Sequence, residues 1–236
     1  AAGNTSAAST PASFTLDTTA PIAPQANASD NAGAVTGPVE PNGSTDDTTP
    51  TFSGTAEPGS TVTLYDNGQP VGTTTAGPDG KWNFTPTTPL AEGAHSFTST
   101  ATDPAGNTGP SSAPLPFTVD TAATTAPTLA IAEAANGVSA VEAVDGVQTQ
   151  VALPTGVKAG DTVTLTVTGA NGPHTVTYTV EPDDVTAKAA TVTIPVADLS
   201  ASGQFVDGNY SVSATVTDAA GNTSAASTPA SFTLDT

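Results

Sequence analysis

Apolar and polar residues alternate with period two along a series of short runs, and turn-forming residues separate the runs. From residue 210 to 217, Tyr210, Val212, Ala214 and Val216 alternate with Ser211, Ser213, Thr215 and Thr217. Successive side chains of a strand point to opposite faces, so this segment predicts a strand with one buried and one wet face. Threonine suits the wet face, because its branched Cβ fits a pleated surface while its hydroxyl stays hydrated. The same beat predicts strands at 49–54, 61–66, 70–76, 81–86, 95–103 and 114–120, with a weakly marked one near 22–28. Further strands are predicted at 162–169, 174–180, 190–196 and 210–218. Asp66-Asn67-Gly68 marks a hairpin, since Asn-Gly accepts the positive φ of a tight turn. Pro78-Asp79-Gly80 marks another turn. No segment carries a helical period. Phe52, Val62, Leu64, Trp82, Phe84 and Phe97 are the expected core of the first set of strands.

A repeat organises these runs. Residues 1–18, AAGNTSAASTPASFTLDT, recur unchanged at 219–236, and a diverged copy, PAGNTGPSSAPLPFTVDT, lies at 104–121. Aligning the three makes Asp17, Asp120 and Asp235 equivalent, at spacings of 103 and 115 residues. Asp103 and Asp218 also match, in TDPAGN and TDAAGN. The phase predicts three pieces: 1–17 as the last strand and linker of a preceding module, 18–121 as one whole module, and 122–236 as a second. Seven short strands in about 100 residues describe an immunoglobulin-like Greek-key sandwich. The expected fold class is therefore all-β, tandem immunoglobulin-like β-sandwiches. Residues 1–16, parted from the other strands of their own module, are expected to be extended and mobile, or to pair with the edge of a neighbouring molecule.

Composition narrows the function. The chain has no cysteine, so each module must be held by its core or by something bound. Three lysines, no arginine and 22 acidic residues leave a formal charge of −19. That excludes nucleic-acid binding, which needs a basic footprint, and it opposes adsorption to an anionic membrane. No run approaches the roughly 18 apolar residues of a membrane span, so membrane insertion is not expected. No basic segment followed by an apolar one marks a signal peptide. The carboxylates either keep the chain soluble by self-repulsion or collect hard divalent cations, which prefer oxygen ligands.

Catalytic arrangements are not visible. His95 aligns with Tyr210 at an offset of 115, the strand-start position where a sandwich tyrosine makes a structural corner bond. His174 sits beside the Asn-Gly-Pro-His turn and reads as a surface residue. No nucleophilic triad can be assembled, and zinc lacks ligands. Asp46-Asp47 and Asp183-Asp184 are neighbours along the chain rather than carboxylates opposed across a cleft. The chain is expected not to be an enzyme. The informative clusters fall at the module ends, where three loops of an immunoglobulin topology meet the incoming linker. In the first module those loops carry Glu57, Asp79, Asp103 and Asn107, and the linker brings Asp17. In the second they carry Asp161, Asp183, Asp184, Asp218 and Asn222, and the linker brings Asp120. Calcium tolerates irregular cages of many oxygens, so this inventory suits Ca2+. No EF-hand loop is present, so any site is assembled from separate loops.

The segments LDTTAP, SGTAEPGSTVTLYDNG, GKWNFTPTTPLAEGAHSFT and TDPAGNT resemble the bacterial Ig-like repeats of very large secreted biofilm-associated and non-fimbrial adhesins. LPTGVKAGDTVTLTVTG and DGNYSVSATVTDAAGNTS resemble a sister type from the same proteins. The resemblance covers nearly the whole chain. It implies type I secretion, retention at the bacterial cell surface, and calcium at the joints between modules. Asp17, Asp120, Asp103, Asp218, Asn107 and Asn222 match the linker and loop motifs, whereas Lys158 replaces the acid expected opposite Glu57, with Asp161 three residues on. The function it implies is that of a monomeric extender segment, partnered by neighbouring modules of its own chain and holding an adhesive domain off the cell. The alternative is a module that itself binds a carbohydrate or a host or matrix receptor. A third reading, an accessory module of a secreted enzyme, would need a catalytic domain outside these residues.

Overall fold

Short runs of β-branched residues bounded by glycine and proline become strands where their alternate side chains can be shut away from water. The computed structural model describes residues 3, 5–132, 137–139, 141–169, 172–201 and 204–235. Up to residue 119 its strands are β1 (Gln25–Asp30), β2 (Gly37–Val39), β3 (Ser44–Thr45), β4 (Thr51–Thr55) and β5 (Thr61–Asp66). They continue as β6 (Gln69–Thr75), β7 (Lys81–Phe84), β8 (Gly93–Thr102) and β9 (Leu115–Val119). Beyond it lie β10 (Thr128–Ile131), β11 (Val147–Ala152), β12 (Thr162–Gly169), β13 (Gly172–Thr179) and β14 (Ala189–Ile194). The remainder are β15 (Ser200–Ala201), β16 (Gln204–Phe205), β17 (Gly208–Thr217) and β18 (Ala230–Leu234).

Contacts divide the chain into two compact units. The first comprises Ala1–Asn27, Phe52–Thr85 and Ser96–Leu115. In it β4 and β7 run antiparallel, with Phe52 opposite Phe84, and β5 pairs with β6 on one side and β8 on the other. Phe52, Val62, Leu64, Trp82, Phe97 and Ala101 are buried, and the rings of Phe52 and Phe97 stand 4.2 Å apart. Phe84 departs from its expected core role. It is half-buried, and its ring lies where a Cβ on Gly72 would stand, 2.4 Å from that point, so it packs on bare backbone of β6. The Asn67-Gly68 turn takes positive φ at both residues, 48° and 80°, as the hairpin requires. Residues 5–20 are exposed and form no strand.

The second unit comprises Ala28–Thr51, Pro86–His95 and Pro116–Thr236. Here β1 pairs with β2, and β3 runs parallel to β9. After residue 121 the strands form one sheet ordered β10-β11-β14 and another ordered β13-β12-β17-β18. The chain crosses between these sheets after β11, β13 and β14, which is Greek-key connectivity. Val147, Val151, Val163, Leu165, Val192, Ile194, Val212 and Val216 fill the space between them. The fold class is all-β, built as immunoglobulin-like sandwiches.

Among the described residues, one α-helix stands outside the alternating pattern. Pro182–Ala187 form a six-residue helix, α1, where no helix was expected. Its cause is capping rather than amphipathicity. Pro182 presets the first helical φ, Glu181 and Asp184 close a reciprocal capping box, and Lys188 ends the turn in the left-handed region at φ 56°.

A corner bond recurs in both repeats. The Tyr210 hydroxyl donates to the Val206 carbonyl at 2.8 Å, and His95 Nε2 lies 2.8 Å from the Ala91 carbonyl, each four residues back. A carbonyl only accepts, so the Nε2 of His95 carries a proton. Tyr210 stacks on Phe232 at 5.1 Å, and His95 stacks on the equivalent Phe117 at 6.0 Å. Burial, reinforced by Asp207, raises the pKa of Tyr210 and keeps its hydroxyl a donor. Tyr210→Phe should therefore lower stability by about 1 kcal/mol in urea titrations followed by circular dichroism. His95→Tyr should leave the urea midpoint close to that of the parent chain. An unchanged midpoint for Tyr210→Phe would show the corner bond contributes nothing.

Candidate functional site

The motif Asp-x-x-Gly-Asn builds the same loop twice. Gly106 and Gly221 adopt φ of 95° and 98°, which lets Asn107 and Asn222 fold back onto the aspartate that opens the loop. The Asn107 amide donates to Asp103 Oδ1 at 2.9 Å, and its Nδ2 donates to Asp103 Oδ2 at 2.8 Å. Asn222 repeats this on Asp218 at 3.0 Å and 3.0 Å. The other Nδ2 hydrogen reaches the linker: Asn107 holds the main-chain carbonyl of Asp17 at 3.1 Å, and Asn222 holds that of Asp120 at 2.7 Å. A neutral side chain thus ties each loop to the chain entering it, across 90 and 102 residues of sequence. The Asn107 side chain, with main-chain amides of the loop, lowers the pKa of Asp103 below its ordinary 3.8.

The linker aspartates bond locally, Asp17 to the Thr19 amide at 3.0 Å and Asp120 to the Ala122 amide at 3.2 Å. The second linker has another grip that sequence reasoning missed. Glu92 accepts the Thr121 amide at 3.0 Å and the Thr121 hydroxyl at 2.9 Å. Its signal was present: Glu92-Gly93 aligns with Asp207-Gly208 at the same 115-residue offset.

Around Asp120 the structure opens a cleft of ≈ 380 Å³, lined among others by Ser44, Thr124, Lys158, Asp161 and Asp218. Asp161 is 2 % exposed, and its Oδ2 accepts the Lys158 amide at 2.8 Å. Burial raises its pKa, and the charge of Asp218 adds to that effect against the pull of the Lys158 amide. Asp46, read from the sequence only as a chain neighbour of Asp47, lies close to these acids. Its pKa is raised by burial first, then by Asp30, with Asp47 and Asp218 contributing. Asp46 Oδ1 and Thr124 Oγ1 are buried without a hydrogen-bond partner.

The other expected residues fall elsewhere. Glu57 is exposed and shares a cleft of ≈ 570 Å³ with Thr19, Ala20, Ile22 and Ala23. Asp79 occupies the β6–β7 turn, accepting the Lys81 amide at 3.1 Å with the ammonium 4.0 Å away. The Gly80 carbonyl of that turn accepts the Ala56 amide at 2.9 Å, so the Glu57 and Asp79 loops are neighbours. Asp183 is exposed on α1. Asp184 caps that helix and accepts the Tyr178 hydroxyl at 2.7 Å, an interaction that, with burial, pushes the Tyr178 pKa up to about 12. Neither lines the cleft around Asp161 and Asp218.

Among the described residues, no three His, Cys, Asp or Glu side chains form a ready-made cation cage. Asp120, Asp161 and Asp218 line one cleft, where burial first and then the charge of Asp218 disfavour ionised Asp161. No helix among the described residues is long and apolar enough to cross a membrane.

Two measurements follow. Asn222→Ala removes bonds to a carboxylate and to the linker carbonyl, and should cost roughly 1–3 kcal/mol with the largest amide shifts at residues 120–122. Unmoved signals there would show that the tie does not hold the linker. For the acids, the sign depends on direction. Asp103, with a lowered pKa, contributes stability above pH 3.8 that is lost as pH falls through its folded value. Asp161, with a raised pKa, carries a penalty at neutral pH that is relieved as pH falls towards 3.8. Asp161→Asn should therefore raise the melting midpoint at pH 7 without divalent cations, and the gain should vanish below pH 3.8.

The profile of the bacterial Ig-like domain family matches residues 22–121 and 183–236. Among solved structures, fibronectin(III)-like modules of CbhA from Clostridium thermocellum are 17 % identical with a TM-score of 0.43, covering 89 % of this chain and 93 % of that one. A tetra-tandem repeat from the extending region of a large adhesion protein is 21 % identical, with a TM-score of 0.35 and 90 % and 57 % coverage. A structure from a 1.5-MDa bacterial ice-binding adhesin is 27 % identical, with a TM-score of 0.36 and 80 % and 59 % coverage. The chain therefore spans less than two thirds of the length of those last two. No curated protein matches it significantly. With well over half of its 236 residues covered by the profile, the chain belongs to the bacterial Ig-like domain family.

Proposed function

We propose that this chain is a structural extender segment of a bacterial surface adhesin, with modules at 18–121 and 122–236 following a linker that ends the segment 1–17. The observation that carries this reading is the repeated tie, in which Asn107 and Asn222 each hold the carbonyl of a linker aspartate. A device that fixes how the chain enters a module, repeated at each entry, serves a protein whose task is to transmit position. In repeat arrays each unit contacts its neighbours, so length is added one unit at a time. The setting is extracellular, at the bacterial surface. The receptor-binding alternative has less behind it, since Trp82 is buried and the Tyr178 hydroxyl is committed to Asp184.

Calcium acts at these joints rather than in the cores. Asp120, Asp161 and Asp218 would hold it at the second joint, and Asp17, Glu57 and Asp103 are the acids of the first. When bound it supplies positive charge that offsets carboxylate repulsion of a few tenths to about 1 kcal/mol per exposed pair. Extracellular sites bind with dissociation constants of roughly 0.1–1 mM, so at millimolar calcium each adds only ~0.5–2 kcal/mol. That is too little to fold a sandwich and enough to select one joint geometry. Small-angle scattering should show a longer, narrower particle in calcium than in chelator, with unchanged β-sheet circular dichroism. Asp120→Ala should remove the change at the second joint. Identical profiles in calcium and chelator would end the calcium part of the reading. The extender part is tested separately, by exchanging this segment in its parent adhesin for an unrelated module pair of equal length, which should preserve adhesion.

A further inference from the structure

Residues 31–36, which connect β1 to β2, form a loop fixed at its base by buried groups. Asp47 is 4 % exposed and accepts the Asn31 amide at 3.1 Å. Asp30 is 8 % exposed and accepts the Ala32 amide at 2.9 Å and the Thr45 hydroxyl. Gly33, at φ 64°, rests on the Asp46 carboxylate so closely that a Cβ there would meet Oδ2 at 1.9 Å. The tip that follows carries Val35, and its side chain reaches the second repeat. A Cβ on Gly221 would stand 3.2 Å from Val35 Cβ and 3.3 Å from its Cγ2, so the valine packs on bare backbone of the Asp218–Asn222 loop. Gly221 is buried, and Ala220 beside it is 2 % exposed. Val35 itself stays 49 % exposed.

We propose that Val35 is a knob on which one module seats the Asp-x-x-Gly-Asn loop of the module that follows, a contact separate from the Asn222 tie and from any bound cation. The proposal rests on the extender reading and gives the glycine of the motif a second task. Gly221 needs its φ of 98° to fold Asn222 back onto Asp218, and the same missing side chain leaves the space that Val35 occupies. The character of the contact suits its surroundings. Acids crowd this joint, and the charge of Asp218 reaches Asp46 of the first repeat. An apolar contact adds nothing to that repulsion, and salt does not screen it. Because half of the valine stays in water, the contact is weak and reversible. It biases the joint without locking it, and a bound cation would tighten what the knob has already set.

The test uses the full chain in chelator, so that calcium plays no part. The chain has no native cysteine, and Thr88→Cys with Thr175→Cys places spin labels at two exposed positions, one in each repeat. Pulsed dipolar spectroscopy then reads the spread of distances between the labels. Val35→Ser removes the apolar knob without adding charge and should broaden that spread, whereas Val35→Ile should keep it as narrow as in the parent chain. A Val35→Ser distribution no broader than the parent's would overturn the proposal. A second readout needs no labels: Val35→Ser should shift the amide signals of Ala220 and Gly221 while leaving those of β12 in place. Unmoved signals at 220 and 221 would also overturn it. Calcium is judged by a different comparison, the parent chain with and without the ion, and the extender role by the segment exchange, so either can fail while the Val35 result stands.

Discussion

Burial of every second side chain between two sheets is the constraint on which the rest of this protein depends. With no cysteine and few aromatic residues, the second sandwich is closed by small aliphatic groups in register, Val163 opposite Val216, Leu165 opposite Ala214, and Val167 opposite Val212. All six are at most 1 % exposed. Each aliphatic side chain removed from water contributes about 1.5–3 kcal/mol, a modest sum that must outweigh the entropy of ordering the strand. The repeated eighteen residues show how conditional that balance is. Beside β17 the sequence Ala-Ser-Phe-Thr-Leu is a strand, and without a partner the same letters are exposed coil. Strand formation here is a property of the seat as much as of the segment.

That dependence explains which parts of the fold were legible from sequence. TVTLYD at 61–66, TVTLTVTG at 162–169 and YSVSATVT within 208–217 alternate over enough residues to mark both the strand and its inner face. The corner role of His95 was legible because Tyr210 stood at the equivalent position. Phe84 was misread because its shelter is Gly72, an absence of side chain that no periodicity reveals. α1 was missed because six residues give a period no room to show, and its capping box reads equally well as an acidic turn. β11 was missed although Val147, Thr149 and Val151 all point inward, since glutamines and a buried threonine weaken its contrast.

The site divides in the same way. The aspartate–asparagine loops were legible as motifs, since repetition pointed to Asp103, Asn107, Asp218 and Asn222. Their chemistry was not, because a carboxamide that donates to a linker carbonyl leaves no compositional trace. Glu92 and Asp46 differ in what the repeat reveals: the first has a partner in Asp207, and the second has none. A neutral amide also suits its task better than a lysine would. It bridges a carboxylate and a carbonyl with two hydrogens on one nitrogen, and its hold does not weaken as salt screens charge.

The acids have a second use, visible only when their bonds are taken together. Asp17, Asp30, Asp47, Asp79, Asp120 and Asp218 each accept the amide two residues on, at 2.8–3.2 Å. A chain almost without cations therefore satisfies its carboxylates with its own backbone, and bends as it does so. The charge is organised by these turns without being neutralised. On exposed turns such as those of Asp17 and Asp79 it faces water, and two molecules side by side feel it across roughly 8 Å of physiological salt. A crowded field of such chains would behave as a hydrated brush, whose members keep their own spacing without any crosslink to set it.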